Sequence, residues 1–260
     1  VGDLFPPADE GGGPRAIPAI EGCPDLAEHI AKGLVADEFD ISTFQNKGLD
    51  HGCFSPLSLI LPDHKNGWPL KLIPFQIGVL QFPAPTMRRC YKIGRAIRRA
   101  IQHYPQDIKV AIAGTGGLSH QVHGERCGFN NTDWDMEFMD HLEKDPEGLL
   151  DMTHAELAEL GGLEGAEVVM WMIMRGALSD KVETTHKAYY LPSMCAIANM
   201  VIEERPEDKP EESDEAYMKR INQQTEGIEK LDGTYPFTIG RGVKAFRLNN
   251  YLHNLVVPKH

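Results

Sequence analysis

Apolar residues recur along much of the chain at spacings that name the element beneath them. Leu26, Ile30 and Leu34 fall on one helical face, which predicts a helix from Pro24 to about Val35. Ser55-Pro56 offers an N-cap and a first helical residue for Leu57–Leu61. Leu70–Leu80 is apolar and bounded by Pro and Gly, which reads as a strand. Ile93, Ile97, Ile101 and Tyr104 then interleave with Arg88, Arg89, Lys92, Arg95, Arg98 and Arg99 as a basic amphipathic helix with its charge in solvent. Ile108–Ala113 reads as a second strand and runs into Gly114-Thr-Gly-Gly-Leu-Ser-His120.

The second half continues the alternation. Thr132 with Asp135, and Thr153 with Glu156, place a capping oxygen and an acid three residues apart, each the signature of a helix start. Glu164–Leu178 and Met194–Ile202 read as apolar helices. Glu203–Glu215 is acidic, contains Pro and is too polar to pack, so residues 203–216 are expected to form a linker. A polar helix to about Leu231 follows, then Gly233-Thr-Tyr-Pro-Phe, the entry to a second module. Strands alternating with helices imply an α/β fold, a central sheet flanked by helices, followed by the start of a small helical domain.

Composition narrows the function classes. The 260 residues suffice for one sizeable core and a smaller appendage. The formal net charge of −12, from 38 acidic and 26 basic residues, argues against nucleic acid and anionic membrane surfaces as partners. No apolar run approaches the roughly 18 residues of a membrane span, and the start has neither the basic nor the apolar region of a signal peptide. Val1 in place of Met implies a start after processing or within a longer protein. Five scattered cysteines without a C-x-x-C pair argue against a disulfide framework or a cysteine zinc site, and suit a reducing, cytoplasmic setting.

Three segments carry candidate chemistry. Gly114-Thr-Gly-Gly lacks the third glycine of a dinucleotide loop, since Ser119 stands in its place. A Gly-rich strand end can instead bring backbone close to a ligand while presenting His120; an incidental histidine on a tight turn is the alternative. His123 and Glu125 lie nearby, but their spacing from His120 matches no metal motif and they read as surface residues. His51, beside Asp50, titrates in the range of a proton shuttle, and a structural histidine is the plainer reading. Glu167 opens a run of seven apolar residues, where a carboxylate needs a cation, donors or a proton. Metal ligation and stabilisation by first-turn N–H groups both answer that need.

Taken together, the segments show a resemblance. Thr115-Gly-Gly-Leu-Ser-His120-Gln, Asp50-His51-Gly-Cys and Glu164-Gly-Ala-Glu167-Val-Val-Met-Trp-Met-Ile-Met-Arg-Gly-Ala-Leu178 closely resemble class III extradiol dioxygenases, the family of the protocatechuate 4,5-dioxygenase catalytic subunit and gallate dioxygenase. The resemblance runs from about Pro7-Ala-Asp-Glu to Ile202, so residues 1–202 are expected to form the catalytic domain. Gly233-Thr-Tyr-Pro-Phe-Thr and Lys244-Ala-Phe-Arg-Leu-Asn resemble the start of the protocatechuate enzyme's small subunit, assigning residues 217–260 to it. That subunit is fused behind the catalytic domain in gallate-type enzymes, which favours gallate.

The resemblance implies extradiol cleavage of a dihydroxy- or trihydroxybenzoate by O2 at a non-haem Fe(II), in a homo-oligomer, expected to be a dimer. Glu167 is then the carboxylate of a site of two histidines and one carboxylate, His120 the acid/base residue and His51 a second active-site histidine. The family's iron-ligating histidines lie upstream of the Pro-Ala-Asp-Glu region, so both are expected before Val1. Tyr190-Leu-Pro-Ser193-Met-Cys195 matches the family only around its proline and receives no role. Two rival readings follow: a catalytically inactive fragment or paralogue acting as an assembly partner, and a zinc hydrolase built on His120, His123 and Glu125.

Overall fold

The computed structural model describes residues 2–8, 17–45, 47–79, 81–205, 210, 212–223 and 226. The expected small helical domain beyond Asn222 lies almost wholly outside them.

The centre of the fold is a helical sandwich. Helix α1 (Pro24–Ala36) takes Pro24 as its first residue and packs on α3 (Met87–Gln102) through Leu26, Ile30 and Leu34. Thr86 caps α3, its side chain accepting the Arg89 N–H, and Cys90, Ile93, Ile97 and Ala100 point inward while the arginines stay outside. Helix α6 (Val169–Gly176) crosses α3, with Trp171, Met172 and Ile173 in the same core. Two further helices, α4 (Thr132–Lys144) and α5 (His154–Gly161), extend that core through Trp134, Phe138, Leu142 and Leu157. A second, smaller core gathers Phe5, Ile17, Ile20, Leu49 and Phe54, the last from α2 (His51–Ile60).

Strand pairing departs from the expected central sheet. Among the described residues there are two two-stranded antiparallel sheets, β1 (Leu4–Phe5) with β2 (Ile20–Glu21), and β3 (Val182–Tyr190) with β4 (Ile197–Glu204). Segment 70–79 pairs only through a single parallel bridge between Leu72 and Gly22, and 108–113 forms no ladder. In these two segments Ile73, Ile77, Val79 and Ile112 pack against the core, and Phe75, Ile108 and Val110 are exposed. A strand needs a neighbour for its backbone groups, and no described segment lies in register with these two.

Other boundaries shift as well. Residues expected as a helix over Met194–Ile202 form β4 instead, with Ala196, Ala198, Met200 and Ile202 turned to the core and Ile197 and Val201 outward. The expected helix Glu164–Leu178 is a 3-10 turn, Glu164–Val168, leading into α6. Helix α2 begins at His51, several residues ahead of the expected Ser55-Pro56 start, and takes Pro56 inside it. The stretch expected as a linker has Glu203 and Glu204 in β4 and ends in α7 (Asp214–Asn222). Helix α7 buries Tyr217 and Ile221 against α1, while Arg220 and Arg99 share Asp37 at 2.6 and 2.7 Å. No helix among the described residues is long and apolar enough to cross a membrane.

Candidate active site

The Gly-rich segment lies between α6 and the residues leading into β4, and its four amides from Gly117 to His120 are all paired. Gly117 N–H donates to Glu167 Oε2 at 2.8 Å, and Leu118 N–H to Ala196 O at 3.0 Å. Ser119 N–H donates to Asp135 Oδ1 at 2.7 Å, and His120 N–H to Gly161 O at 2.9 Å. Four consecutive amides with four different partners leave this loop no second conformation of similar energy. Gly116 adopts φ +103°, and a Cβ there would stand 2.7 Å from the Glu167 Cβ, so only glycine fits. The Trp171 indole donates to its carbonyl at 3.3 Å, tying the turn to α6.

Asp135 is the buried anchor of the assembly. Expected as a capping acid, it instead lies fully buried and accepts from Ser119 N, from Ser119 Oγ at 2.6 Å and from Tyr189 Oη at 2.8 Å. The cap of α4 is Asn131, whose side chain accepts the Trp134 N–H, while its backbone N–H donates to Ser119 Oγ at 2.8 Å. The second expected start holds: Thr153 and Glu156 form a full capping box at α5.

His120 is buried, with Nδ1 donating to Leu118 O at 2.7 Å, since a carbonyl can only accept. Its pKa is raised to about 9, chiefly by a hydrogen bond from its ring N–H to the Cys195 sulfur, against burial and with help from the Leu118 carbonyl and the Glu167 charge. Hydrogen bonding to the charged form outweighs desolvation here. Glu167 is half-buried at the end of the 3-10 turn, and its carboxylate reaches the same Gly116-Gly117 backbone that the His120 ring packs against. The structure therefore brings His120 and Glu167 to opposite sides of one rigid turn.

His51 lies on a different element. It is the exposed first residue of α2, on the smaller core, and no contact among the described residues joins it to His120 or Glu167. His123 is exposed and faces Glu164 at 3.7 Å, and Glu125 is exposed too. Neither joins His120 in a metal cluster. Among the described residues no three His, Cys, Asp or Glu side chains are grouped to hold a metal ion. Asp135 and Cys195 carried no functional expectation; an acid and a cysteine that meet their partners only across distant segments leave no local sequence signal.

Residues 1–202 match the family described as the catalytic LigB subunit of aromatic ring-opening dioxygenase. The chain is similar to a gallate dioxygenase of Pseudomonas putida, 54% identical over 252 residues, covering 97% of this chain and 74% of the relative. A 2,3-dihydroxyphenylpropionate/2,3-dihydroxicinnamic acid 1,2-dioxygenase, also of Pseudomonas putida, is 27% identical over 214 residues, covering 65% of this chain and 67% of its own length. One of Mycobacterium ulcerans is 29% identical over 104 residues, 40% of this chain and 32% of the relative. The chain belongs to the family of catalytic LigB subunits of aromatic ring-opening dioxygenases.

Proposed function

We propose that the protein cleaves gallate, with protocatechuate as the next candidate, by extradiol ring opening with O2 and Fe(II). The observation that carries this reading is His120 and Glu167 bracketing one rigid Gly-rich turn, in a chain 54% identical to a gallate dioxygenase. Fe(II), when bound, supplies the centre at which the diol and O2 meet. Glu167 contributes one carboxylate ligand, and the two histidines that the resemblance implies come from outside the described residues.

The chain's own groups handle protons. Ring opening breaks the carbon–carbon bond beside the diol, and both oxygen atoms of O2 enter the product. A phenolic proton must leave and a proton must return during that sequence. His120, with Nδ1 fixed on the Leu118 carbonyl, keeps its other ring nitrogen to take up the phenolic proton and return it later in the sequence. Burial of the ring and of Leu118 and Ser119 excludes water from that exchange. His51 contributes through substrate contact.

The test is oxygen uptake by the full gene product with gallate and with protocatechuate. His120→Ala should retain iron and lose about two to four orders of magnitude in turnover, the scale of a missing general acid/base. His51→Ala should cost less, and to a degree that depends on the substrate. Near-normal uptake by His120→Ala would remove it from the reaction, and a protein that holds no iron and consumes no O2 would instead be an assembly partner.

A further inference from the structure

The residues leading into β4 run antiparallel to the histidine loop. Leu118 N–H donates to Ala196 O at 3.0 Å and Ala196 N–H to Ser119 O at 3.2 Å, and between these bonds His120 and Cys195 form an antiparallel bridge. Asn130 clamps the pair from the side, its amide donating to Ser119 O at 2.8 Å and to Met194 O at 3.2 Å. Residues opposed across such a bridge project to the same face. Accordingly the Cys195 thiol and the His120 imidazole lie side by side on that face. Both press on one glycine: a Cβ on Gly117 would lie 2.9 Å from His120 Cε1 and 3.2 Å from Cys195 Sγ.

An imidazole held only at Nδ1 keeps freedom to swing about its Cβ–Cγ bond, because one hydrogen bond fixes a point and not a plane. A second side-chain partner removes that freedom. The thiol is small, lies within the same bridge and is only half-buried, so it can be replaced without opening the core.

We propose that Cys195 is a positioning residue for His120, holding the imidazole in the orientation from which it exchanges protons with the diol. The inference rests on the reading of His120 as the acid/base residue. It gives a role to one residue of the 190–195 stretch, which the family resemblance left without any.

Three variants of the full gene product test it: Cys195→Ala, Cys195→Ser and His120→Ala, each assayed for iron content, urea midpoint, kcat and KM with gallate. Cys195→Ala should lower kcat about ten-fold with KM within about a factor of two, since misorientation of a reacting group costs up to about a hundred-fold. Iron content and midpoint should match wild type, and Cys195→Ser, whose hydroxyl can take the thiol's place, should recover most of the loss. Wild-type kcat in Cys195→Ala would overturn the inference, and so would equal losses in both cysteine variants with a lowered midpoint, which mark a packing role. In either case a deep loss in His120→Ala leaves the functional reading standing, whereas normal turnover there overturns both.

Discussion

Replacing Asp135 with Ala removes the acceptor of three hydrogen bonds from a site with no exposed surface. Tyr189 is only half-buried and can turn its hydroxyl to water, so its loss is small. Ser119 is fully buried, and both its N–H and its hydroxyl proton are committed to the carboxylate, because Ser119 Oγ already accepts from Asn131 N. Two stranded buried donors cost about 1–3 kcal/mol each. Relief of the carboxylate's own desolvation offsets part of this, leaving an expected loss of about 2–4 kcal/mol. Asp135→Asn keeps an acceptor for the Ser119 amide and should lose about 1–2 kcal/mol. Equilibrium urea unfolding, with the slope checked for constancy, measures both. An alanine variant within about 1 kcal/mol of wild type would refute the idea that this carboxylate anchors the loop.

Gly94→Ala places a methyl group inside the Ile173 carbonyl oxygen and 2.7 Å from Ala177 N, where α3 crosses α6. Backbone cannot step aside, so the overlap, typically about 1–3 kcal/mol, should exceed the roughly 0.5–1 kcal/mol that alanine adds to an isolated helix; a raised urea midpoint would contradict this. His29 donates Nε2–H to Ala100 O at 2.9 Å, and burial, aided by nearby positive charge, lowers its pKa. The unfolded chain therefore binds that proton first, and stability should fall as pH drops below about 6.5, levelling off below the folded pKa. His29→Gln should flatten the dependence of the urea midpoint between pH 7 and pH 5, and an unchanged slope would exclude His29 as its source.

The elements legible in the sequence are those decided locally. Leu26, Ile30 and Leu34 mark α1, the alternation of arginine and isoleucine marks α3, and Thr153 with Glu156 marks the start of α5. The β3–β4 pair was not legible, because its stability lies in partners across a turn. Val182–Tyr190 does carry β-branched and aromatic residues, and Ala196, Ala198, Met200 and Ile202 do alternate with outward residues. Alanine and methionine at those positions also favour helix, and only pairing with β3 settles the choice. The site divides in the same way. His120 and Glu167 stand out because a Gly-rich turn and an apolar helix make a polar residue conspicuous. Asp135 hides as an ordinary first-turn acid, and Cys195 as one cysteine among five, until the chain folds them onto the loop.

Anaerobic loading of the full gene product with Fe(II), followed by metal analysis and oxygen uptake with gallate, tests the central claim when wild type is set beside Glu167→Ala. The account predicts about one iron per chain and gallate-dependent uptake in wild type. It predicts loss of both in the variant, because a site reduced to two ligands leaves iron largely hydrated and exchangeable. Full iron occupancy and uptake in Glu167→Ala would contradict the account, because Glu167 would then be no ligand and the turn it shares with His120 would not be the reaction site.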